Sequence, residues 1–164
     1  MKMSEDLEVG FGRQITREFG SAMLYRQLAI ELELRDLPGM ASWMRAHATE
    51  ELGHADRLIA HLVARGNHPL IGDITVPSIK ADNVTELFEI ALEAEQEISE
   101  AIRELYRLAE EQGDIDSRPT IDWFISEQIE EEDTVGEIVG RLRMVEEDGS
   151  GLLRIDAELA SSGA

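Results

Sequence analysis

Glu50-Glu51-Leu52-Gly53-His54-Ala55 sets a carboxylate and an imidazole, Glu51 and His54, one helical turn apart. Glu18 stands 33 and 36 residues before them. The spacing recurs in the second half of the chain, where Glu95 is followed by Gln128 and Glu131 at the same two offsets. Two helical hairpins, each presenting a lone carboxylate and then an i, i+3 pair on inward faces, can enclose two metal ions. Helix bundles build di-iron sites in this way.

Working outward, four long segments carry helical periodicity, and nothing reads as a strand. They are expected at about residues 7–36, 39–65, 84–112 and 119–147. Leu37-Pro38-Gly39, Gly66-Asn67 and Gly113 punctuate them. Asp148-Gly149-Ser150-Gly151 reads as a turn before a short fifth helix at 152–159. The first two helices, and the last two long ones, are joined by short turns and are expected to be antiparallel neighbours. Residues 67–83, with Pro69, Gly72 and Pro77, are long enough to run the length of a bundle. The expected fold is all-α: a four-helix bundle at 1–147 with one long crossover, then a turn, short fifth helix and tail at 148–164.

On each long helix polar residues interrupt the apolar stripe, at matching positions. Glu18 falls between Ile15 and Ala22, Glu51 between Ala48 and Ala55, and Glu95 between Ala91 and Ile98. Gln128 and Glu131 fall between Phe124 and Val135, and His54 sits one turn beyond Glu51. An ionised carboxylate buried without a partner is too costly to persist. No lysine or arginine shares these stripes, so metal ions are the simplest compensation. An oxygen-rich ligand set with one imidazole suits iron or manganese better than a thiophilic metal.

Several residues have two readings. Tyr25, seven residues after Glu18, can reach the centre with its ring or simply pack. Glu127 and Glu130 are i, i+3 neighbours beside the Gln128–Glu131 stripe, and Glu50 adjoins Glu51. They form either a third, weaker cation site or a solvated acidic face. His47, His61 and His68 read as surface or satisfied histidines, and Trp43 and Trp123 as packing residues. Gly20 and Gly53 sit inside helices near the centre, where close packing or local flexibility would account for them.

Composition narrows the function further. The chain has 35 acidic and 15 basic residues among 164, a formal charge of −20. Nucleic acid is a poor partner for such a surface, and cations are natural ones. The absence of cysteine removes disulfides, thiolate zinc sites and iron–sulfur clusters. No apolar run approaches a membrane span, and the polar start Met1-Lys2-Met3-Ser4-Glu5-Asp6 has no signal-peptide core. A cytoplasmic protein without membrane contact is expected.

Arg13-Gln14-Ile15-Thr16-Arg17-Glu18-Phe19 resembles the start of ferritins. So do Leu37-Pro38-Gly39-Met40-Ala41-Ser42-Trp43-Met44-Arg45, Glu50-Glu51-Leu52-Gly53-His54-Ala55 and Trp123-Phe124-Ile125-Ser126-Glu127-Gln128-Ile129-Glu130-Glu131-Glu132. The resemblance covers nearly the whole chain in order. It implies a ferritin-like bundle whose Glu18, Glu51 and His54 hold a first ferroxidase iron. Glu51 would bridge to a second, held by Glu95 and completed by Gln128 and Glu131. Tyr25 matches the tyrosine that many ferritins place beside the centre. Glu50, Glu127 and Glu130 match the third iron site of prokaryotic non-haem ferritins.

The family further implies a cage of 24 subunits, oxidation of iron(II) by dioxygen or hydrogen peroxide, and storage as ferric mineral. Bacterioferritins repeat Glu-x-x-His on the fourth helix, where this chain has Gln128-Ile129-Glu130-Glu131. Leu52 occupies the position of their haem-ligating methionine, so haem is not expected. Asp114, Asp116 and Asp122 lie together with Arg118, and no acidic pore is assigned. Two other functions fit the bundle: a di-metal peroxidase or manganese catalase, and a structural cage subunit. Lack of cysteine weighs against a rubrerythrin-like peroxidase.

Overall fold

Ser4 opens the first helix by accepting the Leu7 amide at 3.2 Å, with Glu5, Asp6 and Glu8 placing negative charge at the positive end of the dipole. In the computed structural model, which describes residues 1–162, the helices are α1 (Glu5–Glu33), α2 (Pro38–Ala64), α3 (Val84–Glu111), α4 (Arg118–Val145) and α5 (Gly149–Ser162). A single 3-10 turn, Ile115–Ser117, precedes α4. The described residues contain no strand. The last two positions of the expected tail, 163–164, lie outside the described residues.

The helix ends have local causes. α2 and α3 end in paired bonds around left-handed glycines: Gly66 and Gly113 have φ of 76° and 65°. Asn67 N reaches Leu62 O at 3.0 Å and Asp114 N reaches Ala109 O at 2.9 Å, the Schellman arrangement. α1 stops at Glu33, three residues before the expected end, because Asp36 takes the left-handed position at φ 59°. Gly39 is a helical residue and not part of a turn. A Cβ there would lie 2.0 Å from Asp156 O on α5. Leu37 offers no side-chain cap to α2, and Asp156 Oδ1 supplies one by accepting Met40 N at 2.7 Å. α5 is longer than expected. Asp148 caps it, accepting Gly151 N at 2.8 Å on its carboxylate and Leu152 N at 2.9 Å on its carbonyl.

The core is cut in two. One apolar cluster joins Leu24–Leu32 on α1 with Met40, Trp43 and Phe88, and reaches Leu142 and Ile155. The other joins Leu7, Phe11 and Ile15 with Leu58, Leu62, Ile102 and Phe124. Membership of these clusters gives the directions: α1 and α4 run one way, α2 and α3 the other. Residues 65–83 must therefore travel from one end of the bundle to the other. They lie along α1, with Gly72 N on Thr16 Oγ1 at 2.9 Å and Arg35 Nη2 on Ala81 O at 2.9 Å. Arg65 binds Asp114 through both Nη atoms, at 2.6 and 2.7 Å, and so ties the end of α2 to the start of the last hairpin. A Cβ at Gly20 or Gly53 would meet nothing within 4 Å, so close packing within the chain does not account for either.

Candidate metal centre

Between the two apolar clusters lies a polar belt formed by the residues that interrupt the stripes. Glu18 and Glu95 are fully buried, Glu51 is 2% exposed, and His54, Gln128 and Glu131 are also buried. Each comes from the middle part of one of the four long helices, so rigid backbone sets their height.

The α1–α2 side gathers its ligands. Glu18, Glu51 and His54 each offer one atom within 4.8 Å of the others. His54 Nδ1 stands 3.3 Å from Glu51 Oε2 and 3.9 Å from Glu18 Oε2. Gln14 Nε2 donates to Glu18 Oε1 at 2.7 Å, while Glu18 Oε2 has no hydrogen-bond partner. Burial, and then the charge of Glu51, hold the Glu18 carboxyl well above the usual carboxylate range. Burial and the charge of Glu95 do the same to Glu51, with the neighbouring Glu18 and Ser21 side chains pulling the other way. Without cations these groups share protons instead of carrying full charge.

The α3–α4 side disperses its ligands. Glu95 joins no compact cluster; Tyr25 Oη donates to its Oε1 at 2.5 Å and Gln128 Nε2 to its Oε2 at 3.0 Å. Burial raises the Glu95 pKa, and those two donors pull against the shift. Burial and Glu95 also hold the Tyr25 phenol well above its ordinary value, so it remains a donor. Gln128 Oε1 is buried with no partner, leaving one oxygen for an incoming ligand.

Glu131 belongs to a second group, in which Glu50, His54, Glu127 and Glu131 lie within 4.8 Å of one another. This group opens to the surface through a cleft of about 380 Å³, lined in part by Trp43, His47, Glu50, Glu127, Glu130 and Glu131. Glu50 is exposed and Glu127 half-buried. Glu130 shares the cleft but is exposed and lies outside the compact group. Trp123 packs edge-on to His54 at 5.6 Å and is itself covered by the Arg57 guanidinium at 3.9 Å.

One histidine departs from its sequence reading. His61 is satisfied, with Ser117 Oγ at 3.0 Å and Thr120 Oγ1 at 3.2 Å. His47 is neither a surface residue nor satisfied. Its Nε2 faces Glu131 Oε2 at 3.3 Å, while its Nδ1 is buried without a partner. Burial disfavours its charged form, yet the hydrogen bond and charge of Glu131 hold its pKa above the ordinary histidine value. The signal was present in the sequence: His47, Glu51 and His54 fall at i, i+4 and i+7 on one helix face.

A family model described as a ferritin-like domain matches residues 11–145. A bacterial non-heme ferritin of Escherichia coli is 33% identical over 148 residues, 90% of each chain. A probable bacterial non-heme ferritin-like protein of Haemophilus influenzae is 30% identical over 159 residues, 97% of this chain and 96% of that one. An engineered closed form of the Archaeoglobus fulgidus ferritin superposes with a TM-score of 0.95 at 32% identity, covering 97% of both chains.

Proposed function

The chain belongs to the ferritin family, and from that premise we propose that it oxidises iron(II), its substrate, and stores the product as ferric mineral inside a cage of its own copies. One observation carries the reading. Three buried carboxylates, Glu18, Glu51 and Glu95, meet at one height of the bundle, and among the described residues no lysine or arginine pairs with them. Burying unpaired charge costs several kcal/mol per ion. Divalent cations remove that cost and displace the shared protons.

Glu18, Glu51 and His54 hold one iron(II). Glu51 bridges to a second at Glu95, which Gln128 and Glu131 complete. Glu50, Glu127 and Glu130 hold a third, weaker position in the cleft, which Glu131 and His54 border from the inner side. Each iron(II) surrenders one electron; two electrons and two protons convert one dioxygen to hydrogen peroxide. Anionic oxygen ligands favour the trivalent product over the divalent substrate, which drives the transfer. Tyr25 donates to Glu95 and, with Gln128, keeps that carboxylate aimed while charge builds beside it. No haem takes part.

The outer surface supports association of copies. Val9, Met23 and Ile30 on α1, Leu34 just past its end, and Leu70 and Ile71 on the crossover are exposed apolar side chains. These side chains are proposed to be covered by neighbouring copies in the cage. No helix among the described residues is long and apolar enough to cross a membrane, and the place of action is proposed to be the cytoplasm.

The test is stepwise aerobic addition of iron(II) to metal-free protein, with absorbance and particle size followed together. Fast oxidation saturating at about two or three irons per chain, then slower growth inside a particle of constant outer size, is expected. Oxidation no faster than in buffer would shift the function to manganese chemistry or to a structural role.

A further inference from the structure

His47 lies against the carboxylates, and the chemistry above does not use it. Its side chain is 13% exposed and its Nε2 stands 3.3 Å from Oε2 of Glu131. The Trp43 indole stacks on the imidazole with ring centroids 3.7 Å apart, and the Tyr25 ring approaches to 5.5 Å. Two aromatic neighbours thus fix the plane of the ring.

The tautomer follows from what each nitrogen meets. A neutral imidazole carries one N–H. Placed on Nδ1, that hydrogen would be buried with no acceptor, and the Nε2 lone pair would face a carboxylate oxygen. Placed on Nε2, it meets Glu131, and only a lone pair goes unpaired. Orphaned buried donors are rarer than under-used acceptors. In the neutral ring the hydrogen therefore sits on Nε2, as it also does in the charged ring. It also argues against His47 as a metal ligand, since a ligating imidazole donates its second N–H to a fixed acceptor and Nδ1 has none here.

We propose that His47 is a positioning residue that holds Glu131 by Oε2, in the orientation in which Glu131 joins Glu50, His54 and Glu127, and so sets the affinity of that outer metal position. The inference rests on the proposed function, which assigns Glu131 and its neighbours to iron. It accounts for an imidazole sandwiched where the sequence predicts only a surface or satisfied histidine.

The test is calorimetric titration of assembled, metal-free protein with zinc(II), which binds without redox chemistry. Wild type, His47→Phe and His47→Gln are compared, with Glu127→Ala identifying the outer class of sites. Loss of a hydrogen bond to a metal ligand costs about 10–100-fold in metal affinity. The phenylalanine variant, which keeps the stack on Trp43, is expected to weaken the outer class by that factor and leave the position at Glu18, Glu51 and His54, which does not use Glu131, unchanged. The glutamine variant keeps a donor and is expected to restore the outer class. Should the phenylalanine variant not assemble, His47→Met, equal in length to glutamine but without a donor, replaces it. Unchanged outer binding in the donor-free variant overturns the role of His47. Equal weakening in both variants also overturns it, because the imidazole itself would then be the ligand. Wild-type protein that binds no zinc overturns the site reading and this inference together.

Discussion

In the α1–α2 hairpin, Glu18, Glu51 and His54 converge within 4.8 Å, and burial raises both carboxyl pKa values well above the usual range, helped by the charge of Glu51 at Glu18 and of Glu95 at Glu51. In the α3–α4 hairpin, Glu95 is tied down by Tyr25 and Gln128, and Glu131 faces His47 and the outer group. The offsets along the sequence are identical, so spacing does not explain the difference. The neighbours do. The first hairpin leaves Glu18 Oε2 without a donor, whereas the second meets both oxygens of Glu95 with neutral donors. The first hairpin stores electrostatic demand for a cation, and the second holds its carboxylate already placed.

The largest test of that contrast removes one acid from each side. Glu51→Ala takes away a member of the inner trio and the proposed bridge. It is expected to lower the initial rate of iron(II) oxidation by about 100-fold or more, beyond the range seen for residues that only support ligands. Glu131→Ala removes one carboxylate of the outer group and of the second position but leaves the trio, the bridge and Glu95 in place, and is expected to cost about tenfold. Stopped-flow absorbance on assembled variants measures both. Equal losses would mean that the two sides act as one site and that the division drawn between them is wrong.

The division was only partly legible in the sequence. The four interrupted stripes placed Glu18, Glu51, Glu95, Gln128 and Glu131 at one height, because a 3.6-residue period converts spacing directly into depth and face. The crossover was legible because its length had to match a helix. Partners across helices were not. Nothing local says that Gln128 turns its amide to Glu95, or that Glu131 faces an imidazole from α2. His47 stands outside the repeated offsets that mark the other residues of the belt. The ends of α1 and α5 moved for a related reason. An aspartate in the left-handed position and an aspartate cap carry the signal usually read from glycine and serine.

A smaller effect concerns the metal-free protein and pH. Glu18 and Glu51 have folded pKa values above the unfolded carboxylate value, so between the two the folded state binds more protons. Stability then falls as pH rises through that window. His47, also raised, contributes in the same direction: its share is complete below the unfolded histidine value and is lost as pH passes the folded one. Metal-free protein is expected to melt at a lower temperature at pH 8 than at pH 5, by about 2–4 °C for each kcal/mol involved. Zinc(II) should restore most of the loss at pH 8 and little at pH 5. Glu51→Gln should flatten the pH dependence. A melting temperature that rises from pH 5 to pH 8 in metal-free protein would contradict the electrostatic demand assigned to the first hairpin.

The smallest effects come from removing one supporting donor on each side. Tyr25→Phe deletes the 2.5 Å hydrogen bond to Glu95 and leaves the ring in place. Hydrogen bonds to charged groups contribute about 1.5–3 kcal/mol, and metal-free Tyr25→Phe is expected to lose an amount in that range at pH 8. Gln14→Leu deletes the 2.7 Å bond to Glu18, but it also removes Gln14 Oε1, a buried oxygen with no partner. An unsatisfied buried polar atom costs about 1–3 kcal/mol, so the two changes offset each other and the net loss is expected to stay below about 1 kcal/mol. Denaturant melts of the two variants decide the matter. A Gln14→Leu loss as large as that of Tyr25→Phe would show that Glu18 depends on its donor as Glu95 does, and the contrast between the hairpins would then rest on charge alone.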